Sequence, residues 1–267
     1  MSHLISAGRR RGATGVRNGL SLGVPGYAHP LVAPTEWAEL TRLDGSLDWA
    51  VLNIDRGPGV RPDGHCLEAA GRLTNRAAVA RENFGGQAGP VASGRVLGHL
   101  DLRFGTRPFG ELVSDAHRFL EWYKVDGFYL ARCPGDRSGL SEVGRLTATL
   151  RAVLEGAFVV AGHGVHPCQE YLQLADQLVT FAGPWARYRW SQVTEWTAAH
   201  PPERFCHLVH GVPRAHLEEA MRVARWQGAG TVFFTDRSDH QGHAEAWETL
   251  PGYWDEIVSR IGPGVSE

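Results

Sequence analysis

The stretch YKVDGFYLARCPGD, from Tyr123 to Asp136, decides how this chain is to be read. A polar turn launches a short apolar run, Gly127-Phe128-Tyr129-Leu130, which ends in Ala131, Arg132 and Cys133 ahead of a Pro-Gly turn. Apolar residues in unbroken succession, too few for a helix and bounded by breakers, are the pattern of a strand buried on both faces. Runs of the same kind recur on either side. They cover Leu20 to Tyr27, Trp49 to Ile54, Arg95 to Asp101, Phe158 to Gly162, Gln177 to Phe181, Phe205 to His210 and Thr231 to Asp236. With Gly127 to Ala131 they make eight.

Helical spacing fills the gaps between them. In Phe109 to Tyr123 the apolar residues Leu112, Ala116, Phe119, Leu120 and Tyr123 fall on one face. Leu140 to Leu154 repeats the pattern, and so does Pro213 to Trp226, with Pro213 suited to a first turn and Gly228 to an end. Short buried strands alternating with helices imply a parallel sheet covered by helices. Eight units favour closure, so the expected fold is α/β, a single (β/α)8 TIM-type barrel over residues 19–262. A doubly wound nucleotide-binding sheet alternates in the same way, but GVPGYAHPLVAP is a poor phosphate-binding turn after the first strand. The 40-residue interval before the third strand is the least legible part.

With 267 residues, 43% of them hydrophobic and 21% charged, the chain has enough apolar material for one large core. A formal net charge of −2 carries no basic footprint for nucleic acid and no general attraction to a membrane surface. Cys66, Cys133, Cys168 and Cys206 form no C-x-x-C pair, so free thiols are expected. Residues 1–18 read as a flexible basic N-terminal arm carrying Arg9, Arg10 and Arg11, with no signal-type apolar run behind it. The expected setting is therefore cytoplasmic, and the sequence leaves the oligomeric state open.

In barrels of this kind the working side chains stand at the carboxyl ends of the strands. That rule gathers Tyr27 and His29, then Asn53 and Asp55, then His99, Asp101 and Arg103. It adds Tyr129 and Arg132, His163 and His166, Trp185 and Tyr188, His210, and finally Asp236 and Arg237. Aromatic faces with Asp, Asn, His and Arg between them suit a small polar molecule or an oligosaccharide. Asp101, Asp236 and His163 are the catalytic candidates. Tyr27, Asn53, Asp55, Arg103, Tyr129, Arg132, His166, Trp185, Tyr188 and His210 are the candidates for binding substrate. Two histidine clusters, GHGVH and DRSDHQGH with His240 and His243, lack the H-E-x-x-H spacing and any paired thiolate, so neither a metal nor a cofactor is expected. No G-x-S-x-G elbow is present.

Taken in order, GVPGYAHP, VLNIDRGPG, RVLGHLDLRFGTRP, FLEWYKVDGFYL, YLQLADQLVTFAG, LVHGVP, GAGTVFFTD and LPGYW resemble the spherulation-specific family 4, the spherulin-4-like proteins, across residues 20 to 255. That resemblance implies a (β/α)8-type barrel with a sugar-binding cleft and a relation to endo-α-N-acetylgalactosaminidases. It also implies an Asp-Glu pair after the VDG strand and a glutamate within TFxG. Here those positions hold Ala131, Arg132 and Ala182. Glycoside hydrolysis ordinarily needs a carboxyl acid and a second carboxyl as base or nucleophile, and neither alanine nor a permanently charged arginine supplies one.

Three readings follow from the residues. One is a repurposed enzyme, using Asp101, Asp236 or a mouth histidine for lyase, isomerase or cyclisation chemistry on an anionic or sugar-like molecule. Another is a pseudoenzyme that binds a carbohydrate or related metabolite unchanged. A glycosidase whose carboxylates have moved, to Asp101 with Asp55 or Asp236, is the third. The number of ionisable residues at strand ends favours the first.

Overall fold

The computed structural model describes residues 19–26, 29–43, 45–83, 94–238 and 246–261. Eight parallel strands close into a barrel in chain order. They are β1 (Ser21–Val24), β2 (Leu47–Leu52), β3 (Arg95–Asp101), β4 (Gly127–Ala131), β5 (Phe158–Gly162), β6 (Gln177–Pro184), β7 (Phe205–His210) and β8 (Thr231–Phe234). Helices α1 (Pro34–Leu40), α2 (Gly64–Asn83), α3 (Phe109–Tyr123), α4 (Leu140–Val153), α5 (Trp185–Tyr188), α6 (Leu217–Trp226) and α7 (Trp254–Ile261) run between or after them. The expected (β/α)8 barrel is the observed one, and α2 occupies the interval that was hardest to read. The proposed arm over residues 1–18 lies outside the described residues.

Period-two alternation sorts each strand into an inner and an outer face. In β3 the outer face includes Gly98, where a Cβ would come within 2.7 Å of the Phe119 ring, so glycine lets α3 seat close to the sheet. The inner face of the same strand carries His99 and Asp101. Their partners on β4 are Tyr129 and Ala131 in register. Tyr129 packs inward against Trp49 and His99, with ring centroids 5.7 and 6.3 Å away. Gly162 on β5 is small for the same reason, since a Cβ there would lie 2.8 Å from the Tyr129 hydroxyl.

The amino-terminal end of the barrel is closed by a polar plug. Trp49 Nε1 donates to Gln177 Oε1 at 2.7 Å, and Gln177 Nε2 donates to Thr231 Oγ1 and to the Glu203 carbonyl, both at 2.9 Å. Thr231 Oγ1 in turn donates to Asp48 at 3.0 Å, and Arg95 pairs with the other oxygen of that carboxylate. Each buried polar atom of this plug has a partner, which is the condition for polar groups to be tolerated in a core. Chemistry is therefore left to the opposite end.

One irregularity re-aims β6. Its pairing with β7 shifts between Val179 and Phe181. Such a bulge turns the following side chains. Phe181 faces outward onto Tyr188, with centroids 4.7 Å apart, while Ala182 meets the loop after β5 through a hydrogen bond from its N–H to the Gly164 carbonyl. Among the described residues, no helix is long and apolar enough to cross a membrane.

Candidate functional site

At the carboxyl end of β3, Asp101 is almost fully buried and is held from two sides. Arg132 grips it in a fork, Nε to Oδ1 at 2.7 Å and Nη2 to Oδ2, and the Arg103 backbone N–H donates to Oδ1 at 3.0 Å. Burial pushes this carboxyl upward, but the hydrogen bonds from Arg132 and Arg103 outweigh it and leave the group below the ordinary aspartate range. Asp101 is thus a fixed carboxylate. A proton donor it is not.

Arg132 reaches Asp101 from an unusual backbone. Its φ is 50°, in the left-handed region that non-glycine residues avoid. Across the rim, Arg103 and Phe104 are also left-handed, at φ 46° and 56°. Two backbone bonds tie the loops together, Leu102 N–H to the Ala131 carbonyl at 2.9 Å and Phe104 N–H to the Arg132 carbonyl at 2.8 Å. The Arg132 guanidinium carbon lies 6.0 Å from the centre of the Phe104 ring. Phe104 is a residue the sequence reading passed over in favour of its neighbour Arg103.

His99 stands one inward position below Asp101, stacked on Tyr129 with ring centroids 6.3 Å apart. Burial holds its imidazole down to about 4, against the pull of the Asp101 charge, so it is neutral at ordinary pH. Asn53 belongs to the same region, but its Oδ1 accepts from the Gly57 N–H at 3.1 Å and shapes the turn after β2. Asp55 is exposed on that turn.

The other side of the mouth comes from β7, β8 and the segment leading to α7. His210 meets Trp247 edge to face at 5.5 Å, and Trp247 rests on Phe233 at 6.2 Å. Trp247 was not among the residues singled out, because no strand ends near it and only the folded chain brings it to the barrel. Asp236 accepts the Gly252 N–H at 3.1 Å and so pins LPGYW beside the mouth. Glu36 pins the same segment by accepting the Leu250 N–H at 3.0 Å, and burial raises its carboxyl despite that bond and the charge of Arg237.

Several expected site residues are placed elsewhere. Tyr188 has no exposed surface: its hydroxyl shares a 2.8 Å hydrogen bond with His207 Nδ1 behind β6 and β7, where Phe181 and Phe234 also pack. Trp185 is 6% exposed and lies against His216 and Tyr188, so neither ring offers an open stacking face. Both were read as platforms because they follow a strand end, but the bulge turns this stretch into the layer between barrel and helices. His163 is tucked against Tyr171 at 4.6 Å with neither ring nitrogen hydrogen-bonded, and burial pushes it down to about 4. Its ring is therefore neutral at ordinary pH. His166 is engaged with Thr194 Oγ1 at 3.2 Å and with Trp196. Tyr27, His240 and His243 lie outside the described residues.

A second cluster lies on the segments that follow β1 and β2, where His29, Asp63 and Cys66 bring ligand-type atoms within 4.8 Å of one another. Its geometry is that of a helix cap. Asp63 Oδ1 accepts the Cys66 N–H at 3.0 Å at the start of α2 and lies 3.2 Å from His29 Nε2. Burial pushes the Cys66 thiol up to about 12, away from the thiolate a metal takes.

These elements define a (β/α)8 barrel with a polar mouth in which an arginine has taken hold of the one acid ending β3. The chain matches the spherulation-specific family 4 over residues 21–261 and belongs to that family. Among solved structures it is similar to Aspergillus clavatus Sph3 in complex with GalNAc, at 21% identity and a TM-score of 0.73, covering 91% of this chain and 97% of that one. No curated protein matches the chain.

Proposed function

We propose that this barrel binds a carbohydrate of the N-acetylgalactosamine class at its mouth and releases it unchanged. The observation that carries this reading is the Arg132–Asp101 fork. Arginine stands where the resemblance implies an acid, and it holds the neighbouring aspartate in its charged, hydrogen-bonded form. A glycosidase must move a proton to the leaving oxygen, and a carboxylate held below its usual range has none to give. Of the other catalytic candidates, Asp236 is committed to the Gly252 N–H, and His163 is buried against Tyr171 as a neutral ring. This is why the binding reading is preferred to the repurposed enzyme.

His99, Tyr129, Asp101, Arg132, His210 and Trp247, on or beside the carboxyl ends of β3, β4 and β7, supply donors, acceptors and ring faces, the mixture that hydroxylated ligands need. The GalNAc bound to Sph3 in its complex supports a sugar of that kind as the first ligand to try. The test is titration calorimetry of the purified protein with N-acetylgalactosamine and its oligomers, run beside a reducing-end assay on the same mixtures. Saturable heat with no new reducing ends is expected. Release of reducing ends with turnover would overturn the reading, as would the absence of binding to every sugar in the series.

A further inference from the structure

We propose that Phe104, with Arg132 over one face of its ring, forms an outer subsite whose other face stacks a second pyranose unit of a longer glycan, so that the protein prefers oligomers to the single sugar. The inference rests on the sugar-binding reading above and adds to it a ligand length and a place for the extra unit.

Three observations converge on Phe104. Its side chain is 65% exposed, although a phenyl ring gains nothing from water and would ordinarily be buried. Its backbone is held in the left-handed region, as is that of Arg103 before it and of Gly105 after it, at φ 85°. A non-glycine residue is kept in that conformation only where its surroundings insist on it, and such strain collects at ligand-contacting positions. Here the surroundings are named: the Phe104 N–H bond to the Arg132 carbonyl, the Gly105 N–H bond to the Leu102 carbonyl at 2.9 Å, and the Thr106 hydroxyl bond to the Arg103 carbonyl at 2.7 Å. The loop after β3 is therefore built to keep the ring out.

The third observation is what lies beside the ring. Arg132 joins Phe104 to Asp101, so an aromatic face adjoins a guanidinium–carboxylate pair with no break between rim and mouth. A pyranose presents the matching surface: an apolar face of C–H bonds to lie on a ring, and equatorial hydroxyls at its edge to meet charged donors and acceptors. An acidic or purely apolar peptide would match only half of it.

Phe104→Ala, Phe104→Leu and Phe104→Trp would be compared with the native protein by calorimetry against N-acetylgalactosamine and its trimer, after thermal melts confirm that each is folded. Phe104→Ala and Phe104→Leu are expected to weaken trimer binding by about tenfold, the scale of one lost stacking contact. Binding of the single sugar should hold, and Phe104→Trp should keep native affinity for the trimer. Unchanged trimer affinity in both non-aromatic variants, or equal loss for sugar and trimer, would overturn the subsite while leaving the binding function intact. If the native protein binds neither sugar, the proposed function itself has failed and the subsite falls with it.

Discussion

Arg132 shows how one side chain can decide what a site is able to do. By donating to both oxygens of Asp101 it stabilises the charged form of that group and suppresses the protonated one. Because the folded pKa is depressed, this pair contributes stability above the unfolded aspartate value, near about 4, and loses it as pH falls through the lower folded value. Arg132→Met should therefore cost about 1 kcal/mol at neutral pH, a figure kept small because water reaches half of the arginine side chain. The gap between the two proteins should close in acid. Urea melts from pH 7 to pH 2.5 would show it, and carboxyl-carbon NMR should find Asp101 titrating at a higher pH in the variant. A gap that persists at pH 2.5 would mean that the pair is not its source.

At the scale of elements, the bulge in β6 separates what lines the mouth from what packs behind it. Phe181 and Tyr188 are turned into the outer layer, where Tyr188 meets His207, which in turn contacts Thr180 at 3.1 Å. This chain of polar groups is buried, so its hydrogen bonds matter for stability and not for ligand. Tyr188→Phe is expected to lower unfolding free energy by about 1–2 kcal/mol, the range for a buried hydrogen bond left half made. Sugar affinity should be unchanged. A large loss of affinity with stability intact would return Tyr188 to the site.

Over the whole molecule the polar plug closes one barrel end, and the proposed ligand site lies at the other. Gln177 is the hub of the plug at the amino-terminal end, and Gln177→Ala would strip partners from Trp49 and Thr231 together. A loss of about 2–4 kcal/mol is expected, with ligand binding at the other end preserved once the protein is folded. Acid should act on the whole barrel through the buried His163 and His207 and the half-buried His99. Burial pushes His99 and His163 down to about 4 and His207 to about 3. Each is neutral when folded and takes up a proton when unfolded, so stability is full above about pH 6.5 and falls steadily as pH drops towards those values. Urea midpoints measured between pH 7.5 and 4 should decline along that window, and a flat profile would contradict it.

The sequence by itself determined the barrel. Strands β3, β4, β5 and β7 and helix α3 are legible to the residue, because short apolar runs between breakers and one apolar stripe per helix are local signals. It also gives Ala131, Arg132 and Ala182 side chains that cannot act as carboxyl acids, since side-chain chemistry is a property of the residue alone. Only the tertiary structure decided what the rim residues do. A bulge of one position sends Trp185 and Tyr188 behind the sheet, and no local pattern announces it. Trp247 reaches His210 from a segment that no strand end marks, and Phe104 adjoins Arg132 through bonds between two loops far apart in the chain. Pairing of Arg132 with Asp101 is likewise a matter of register: their strands lie side by side with Asp101 opposite Ala131, and the residue after Ala131 turns back to meet it. Local chemistry writes the elements, and the packing of distant ones decides which side chains face a ligand and in what charge state.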